Sequence, residues 1–267
     1  MIQSVRLIVS FNIAVLCFLL SGCAVRSVYI PVCQNTPMFK DDKEIKAVAY
    51  VGTNHVEMQM AHNPVKGLAL AGNVSFGSGI SIYDGAIGTY GYNDSKKWRA
   101  EIFTGYGSNS NYAFQTTNYN TLINQPVKNY EVRSLYDKYY VQPGIGYFNH
   151  IKMYKMNYSF SFSARISVLY FKTYSFKEID YEATKQAGQN VYLHNINYNN
   201  GIMNLFEPCF TNKIGIKNVN IILQGQFFIP YSEQIDISYT VFSPGFLLAA
   251  GLQYNFVFKN RKGVPKD

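Results

Sequence analysis

Several features of ordinary soluble proteins are scarce in this chain. Charged residues make up 15% of the 267 positions, against about a quarter in an average globular protein. Four cysteines in this length exclude a disulfide-dense scaffold, and a single long apolar run excludes a polytopic helical membrane protein. The 16% of aromatic residues excludes disorder over most of the chain, because disordered segments are polar and poor in aromatics.

Sequence patterns for catalysis and metal binding are missing as well. The four histidines are scattered, no His-x-x-x-His spacing occurs, and no cysteine pair has metal-ligand spacing. There is no Gly-x-Ser-x-Gly elbow, P-loop or Gly-x-Gly-x-x-Gly element. We therefore predict a protein that is not an enzyme and binds no metal ion or cofactor.

Residues 1–22 have the pattern of a secretory signal peptide. Arg6 supplies the positive charge of the n-region. The mostly apolar run of 14 residues from Leu7 to Leu20 is too short to span a bilayer. Leu20-Ser21-Gly22-Cys23 resembles the bacterial lipobox, which implies cleavage before Cys23 and a diacylglyceryl thioether on its sulfur. Acyl chains such as palmitate would then anchor the protein to lipid. The alternative is an ordinary secretory signal with a chance cysteine at its end.

The residues after Cys23 indicate where the anchor lies. Ala24 stands where an Asp would resemble an inner-membrane retention signal, so we expect the cell outer membrane. Ala24 to Ser27 lacks the acidic cluster that often follows the cysteine in surface-displayed lipoproteins, so we expect a periplasmic N-terminus. Residues 23–43 are interpreted as the lipidated N-terminus and a linker, with prolines at 31 and 37.

Residues 44–260 alternate with period two, which predicts antiparallel strands. In 156–170 the even positions are apolar or aromatic, and the odd positions are mostly Ser with Arg165. Similar segments predict an all-β, up-and-down barrel of the outer-membrane type with about 8–10 strands, ten being favoured. They lie near 45–52, 55–62, 68–76, 80–92, 98–107, 135–147, 204–216, 219–229 and 246–258.

Connections between the predicted strands alternate in length. Turns such as Asn63 to Lys66 are short, whereas polar stretches near 108–127, 173–202 and 230–244 are long. Outer-membrane barrels have short turns in the periplasm and long loops outside. Residues 261–267 form a basic tail.

Alternation alone leaves open which face of the strands points outward. The first hypothesis is an outer-membrane barrel with its apolar face in lipid. The alternative is a soluble periplasmic lipoprotein with a lipocalin-like barrel that binds an apolar ligand inside. The Ser-rich face of 156–170 favours the membrane barrel, since a water-facing surface would normally carry Lys and Glu.

Short motifs add a family resemblance. They are Tyr29-x-Pro31, Asn35-x-Pro37-x-Phe39, Gly105-Tyr106-Gly107 and Gln142-Pro143-x-Ile145-Gly146-Tyr147, placed after a lipobox. The whole resembles small outer-membrane β-barrel lipoproteins of Bacteroidota-type bacteria. The resemblance implies location and architecture, and it implies no activity.

An outward apolar face would direct several charges into the lumen. Three acids and four bases could largely neutralise one another, as a salt-bridged, hydrated plug or, alternatively, as the lining of a selective pore. These candidate residues are Glu57, Arg99, Glu101, Lys138, Arg165, Glu207 and Lys213.

Partners follow from charge and loop composition. The net charge of +8 suits anionic lipid at the membrane surface, and the secretory signal argues against nucleic acid as a partner. Asn and Tyr in the predicted loops 109–120 and 192–200 suit a glycan or protein ligand, the alternative being that exposed loops are simply polar.

Cys33 and Cys209 are expected to be unpaired thiols rather than a disulfide.

Overall fold

The computed structural model is built almost entirely of strands. It describes residues 29, 31–40, 43–51, 55–77, 79–117, 128–151, 156–180, 186–187, 191–231 and 245–257. The strands are β1 (Glu44–Val51), β2 (His55–His62), β3 (Leu68–Gly77), β4 (Ile80–Tyr92), β5 (Trp98–Thr117), β6 (Lys128–Ile151), β7 (Met156–Asp180), β8 (Val191–Tyr198), β9 (Gly201–Ile216), β10 (Val219–Pro230) and β11 (Gly245–Val257). The predicted signal peptide 1–22, Cys23 and the basic tail 261–267 lie outside the described residues.

The strands close into an antiparallel barrel. Except for β8 and β9, each strand pairs with the next along the chain, and β1 pairs with β11 to complete the ring. β8 and β9 both pair with β7, and the register of β9 continues across Asn199 and Asn200 into β8, so together they form one wall strand. The register shifts by one residue between Glu178 and Ile179. The barrel therefore has ten wall strands, which confirms the predicted fold class. Among the described residues no helix is long and apolar enough to span a membrane.

The two faces of the strands settle the question that alternation left open. Phe162 and Ile166 are 52% and 48% exposed on the outside of the barrel, whereas Ser161 and Ser163 are 3% and 1% exposed inside it. The same outward apolar pattern continues around β2, β10 and β11. The middle of the lumen is lined by charged and amide side chains, which is the reverse of what a lipocalin-like ligand barrel requires.

The two ends of the barrel differ. One end, called here the short-turn end, carries the turns 63–67, 93–97 and 217–218, together with the start of β1 and the end of β11. The opposite end is called the long-loop end, because the β5–β6, β7–β8 and β10–β11 connections lie there. Wall height varies greatly around the ring: β1 and β2 have 8 residues each, whereas β6 has 24 and β7 has 25.

The long strands correct the predicted loops. Residues 108–117 belong to β5, residues 173–180 belong to β7, and most of 191–202 is strand as well. A bulge at Lys172 and Thr173 leaves both side chains exposed, and from Tyr174 onward the even positions of β7 face inward. Because this bulge reverses the alternation, the period-two pattern of 156–170 does not continue past it.

Candidate functional site

The barrel interior is occupied by the chain's own N-terminal portion. Residues 31–40, called here the luminal segment, run through the lumen without forming a strand, and Tyr29 precedes them. Val32, Gln34 and Phe39 are completely buried. The sequence predicted a linker between lipid and barrel over 23–43, so the structure gives the described part of that range a different role, as the filling of the lumen.

Acidic side chains of the wall accept the backbone N–H groups of the luminal segment. Glu57 of β2 accepts from Cys33 at 2.9 Å, and Glu101 of β5 accepts from Met38 at 2.9 Å. Near the end of the segment, the N–H of Lys40 donates to Glu44 of β1 at 2.9 Å. An extended segment without a neighbouring strand needs such partners, because buried peptide groups must be hydrogen-bonded.

Basic and amide side chains bind the carbonyl groups of the same segment. Lys213 donates to Thr36 O at 2.6 Å, and Met38 O accepts from Arg99 at 2.8 Å and Lys46 at 3.1 Å. The remaining carbonyl partners are amides: Gln59 for Cys33 (2.7 Å), Gln224 for Gln34 (3.0 Å) and Gln142 for Asn35 (2.8 Å). Hydrogen bonds to charged groups contribute about 1.5–3 kcal/mol each, so the segment is firmly held.

Apolar side chains of the segment fill separate pockets in the wall. Tyr29 lies in an aromatic cluster at the long-loop end with Tyr136 and Phe228, and its hydroxyl donates to Glu207 at 2.6 Å. Phe39 packs at the short-turn end against Tyr90 and its neighbours. Between them, Val32 contacts a cluster with Ile80 and Ile82, and Cys33 one with Val48, Tyr50, Ile222, Leu247 and Ala249.

Two glycines of β6 lie beside the Met38 side chain of the luminal segment, and Gly146 leaves room for it. A Cβ at Gly146 would lie 3.0 Å from Met38 Sδ, and one at Gly144 would lie 3.6 Å from Met38 Cε. Met38 itself has φ 47°, a left-handed conformation that costs a non-glycine residue about 1–2 kcal/mol. The three ionic hydrogen bonds on its N–H and C=O hold it there. The two halves of the sequence motif, around Asn35 and around Gln142, thus contact each other inside the barrel.

All seven candidate charges face the lumen, where each is at most 7% exposed. Five of them bind the chain's N-terminal portion directly: Glu57, Arg99, Glu101, Glu207 and Lys213. The expected role was mutual neutralisation, but what these five contact is largely peptide backbone. Five further charged or amide residues that bind the segment were not among the candidates: Glu44, Lys46, Gln59, Gln142 and Gln224. The signal that could have found them is that each lies on the inward-facing side of its strand.

Lys138 and Arg165 both lie at the ring of Tyr140, and Arg165 is also the cross-strand neighbour of Glu207. Lys138 forms an ion pair with Asp84 at 3.8 Å, and the Tyr140 hydroxyl donates to the same carboxylate at 3.4 Å. Arg165 stacks on the Tyr140 ring and donates to Gln142 Oε1 at 3.0 Å. Because Gln142 in turn donates to the luminal segment, Arg165 orients one of the segment's partners.

The cysteine and histidine side chains that the structure describes are buried or bonded to neighbouring polar groups. Cys33 and Cys209 are both buried free thiols. His55 is buried beside Glu57 at 3.6 Å, and His150 is exposed and bonded to Asn157. In the part of the chain that the structure describes, no three His, Cys, Asp or Glu side chains are grouped to hold a metal ion.

The extended ends of β5, β6 and β7, together with β8, form a high wall at the long-loop end. Its outer surface carries ion pairs, Lys172 with Asp137 at 2.9 Å and Arg133 with Glu131 at 2.7 Å. Arg133 also covers the ring of the exposed Tyr112 at 4.8 Å. This part of the exterior is polar, unlike the apolar exterior around Phe162.

Comparisons with known proteins give the following picture. No protein-family model matches the chain, and no curated protein matches it. Among solved structures, a KdgM porin aligns over 80% of this chain and 99% of its own at 9% identity and a TM-score of 0.32. A NanC porin aligns over 79% and 98% at 9% identity with a TM-score of 0.32, and the outer membrane protease OmpT from Escherichia coli over 80% and 97% at 11% identity with a TM-score of 0.26. At such low scores the likeness carries no functional argument, and the architecture rests on the strand pairing.

Proposed function

We propose that the protein is a non-enzymatic, lipid-anchored barrel of the outer membrane, sealed by its own luminal segment, with a structural role in the cell envelope. The observation that carries this proposal is the set of hydrogen bonds to the luminal segment from side chains of seven wall strands. A porin needs an open path, whereas this lumen is filled by peptide at its centre.

The exterior supports a membrane location. Trp98, Tyr147 and Phe160 form an aromatic row near the short-turn end, and Tyr106 and Tyr139 form a second row eight residues farther along β5 and β6. Eight residues of strand span about 26 Å along the strand, which is about 20 Å along the membrane normal at a tilt of about 40°. An outer-membrane barrel has an apolar band about 25 Å tall between two aromatic girdles. The residues between the rows, such as Ile102 and Ile145, are apolar and exposed.

The cavity at the short-turn end supports a sealed lumen. It has a volume of about 120 Å³ and is bounded by Met38 of the luminal segment and by Lys46, Arg99 and Lys213. These cations already donate to the segment's carbonyl groups. The luminal segment and its cationic partners therefore form part of the boundary of this cavity, which supports a lumen blocked by the segment.

Reconstitution in planar bilayers tests the proposal. The native protein should fractionate with outer membranes, migrate differently on a gel before and after boiling, and show no steady conductance. Steady unit conductance would contradict the sealed lumen. Unchanged mobility on boiling, together with release into solution when the lipidated end is removed, would support the soluble alternative instead.

The high wall favours a second role, binding of a glycan at the cell surface. The exposed side chains there include Tyr112, Arg133, Asn195 and Asn197. An aromatic ring offers contact area to a ligand, and an amide offers adaptable hydrogen bonds. A glycan array with the native protein and with Tyr112→Ala tests this role. Signal that is lost in Tyr112→Ala supports it, and signal that is equal in both proteins contradicts it.

A further inference from the structure

The luminal segment has a fixed direction through the barrel. Its last residue, Lys40, donates its N–H to Glu44 at the short-turn end, and its ammonium group lies over the ring of Phe148. At the same end the N–H of Lys43 donates to Asn63 O at 3.1 Å, and β1 begins there. The segment therefore leaves the lumen at the short-turn end, where β1 turns back into the wall.

The other end of the segment points the opposite way. Tyr29 lies in the aromatic cluster formed by the upper parts of β6, β7, β9 and β10, which are the parts nearest the long-loop end. Passing from Tyr29 to Lys40, the partners move in order from Glu207 through Gln224 and Lys213 to Arg99. The chain enters the barrel from the long-loop end.

The length of chain before Tyr29 restricts where Cys23 lies. The chain advances six residues from Cys23 to Tyr29, with five residues between them, and a fully extended chain of six residue steps reaches about 20 Å. The ring of paired strands is closed on all sides, and residues 31–40 occupy the lumen itself. Six residues are too few to pass over the wall and return to the short-turn end across a membrane.

We propose that the N-terminal end of the mature chain, with the lipid predicted on Cys23, lies on the extracellular side of the outer membrane, its acyl chains in the outer leaflet. This inference rests on the proposed function, because short turns of outer-membrane barrels face the periplasm. It reverses the periplasmic N-terminus expected from the composition of residues 24–27. The absence of an acidic cluster there is a weak sequence signal, whereas the path of the luminal segment is fixed by hydrogen bonds along its length.

Cysteine labelling in intact cells tests the inference with three full-length variants. Ser27→Cys reports on the N-terminal end, Asn199→Cys on the exposed junction between β8 and β9, and Asp94→Cys on an exposed short turn. The native chain is the background control, because Cys33 and Cys209 are buried. Each variant is first checked for a mobility shift on boiling, and Arg26→Cys replaces Ser27→Cys if that variant does not fold.

A membrane-impermeant maleimide should label Ser27→Cys and Asn199→Cys equally before and after permeabilisation. Asp94→Cys should be labelled only afterwards. If Asn199→Cys is labelled in intact cells but Ser27→Cys needs permeabilisation, the inference fails and the proposed membrane barrel stands. If Asn199→Cys and Asp94→Cys both need permeabilisation, or both are labelled without it, the proposed membrane topology fails, and the inference with it.

Discussion

The side-chain amide of Gln224 pairs with the backbone of Gln34 as a neighbouring strand would. Its Oε1 accepts the N–H of Gln34 at 2.8 Å, and its Nε2 donates to the carbonyl of Gln34 at 3.0 Å. The amide thus replaces one peptide unit of a missing strand. This contact illustrates how the barrel holds a segment that has no backbone partner of its own.

Replacing Gln224 with Leu should destabilise the barrel. The change leaves a buried N–H and a buried C=O of Gln34 unpaired, and each such group costs about 1–3 kcal/mol. The denaturant midpoint of the boiling-sensitive gel band measures the effect. Gln253→Leu is the matched control, because Gln253 is also a buried luminal amide but bonds to Asn255 rather than to the luminal segment. Equal losses in the two variants would contradict the role given to Gln224.

A side chain at Gly146 should compete with Met38 for space. Gly146→Val should destabilise the fold, since overpacking typically costs about 1–3 kcal/mol, and Met38→Ala in the same chain should recover part of the loss. A double-mutant cycle on unfolding free energies measures this coupling. Gly91→Val is the control, because a Cβ there has no atom within 4 Å. Strictly additive effects of Gly146→Val and Met38→Ala would show that the two residues do not meet.

Two exposed positions on the outer surface should differ in their contact with lipid. A fluorophore on Phe162→Cys should be quenched by a quencher attached to lipid chains, because Phe162 lies between the aromatic rows. The same fluorophore on Asn195→Cys, exposed on the high wall, should be unaffected. As a second readout, Phe162→Arg should destabilise the barrel, because a charge on the lipid face costs roughly 2–4 kcal/mol at the bilayer midplane and less toward the girdles. Quenching at neither position would contradict the membrane-facing exterior.

Both buried cysteines should be inert in the folded protein. Cys33 and Cys209 are free thiols shielded from solvent, so a bulky maleimide should add no mass to the folded chain. After boiling in the absence of reductant, two maleimides should add to these thiols. Mass spectrometry with Cys33→Ser and Cys209→Ser identifies each site. If maleimide adds after boiling only when reductant is present, Cys33 and Cys209 are joined by a disulfide.

The sequence was sufficient to predict the wall of the barrel. Alternation in 156–170 is a local property, and its Ser-rich odd face correctly indicated a lumen rather than a water-exposed surface. The extended parts of β5 and β7 were missed for a physical reason. Above the apolar band both faces of these strands carry polar or aromatic residues, and the bulge at Lys172 reverses the parity.

The luminal segment could not be predicted from any local pattern. It has no periodicity, and its prolines suggested a linker, although Pro37 suits a buried segment because it has no N–H to satisfy. Its partners come from strands up to 190 positions away in sequence, as with Gln34 and Gln224. The motifs around Asn35 and Gln142 can be recognised in the sequence. Their contact cannot be predicted from it, because the two motifs meet only when the barrel has closed around the luminal segment.

The passage of the luminal segment, residues 31–40, through a closed ring of strands bears on the order in which the barrel assembles. β1 follows this segment directly, and β1 completes the ring by pairing with β11, the last strand to be synthesised. With the acyl chains proposed on Cys23, the N-terminal end would be too bulky to be drawn through a lumen already lined by packed side chains. We therefore expect the seam between β1 and β11 to close last, around a luminal segment that is already in place.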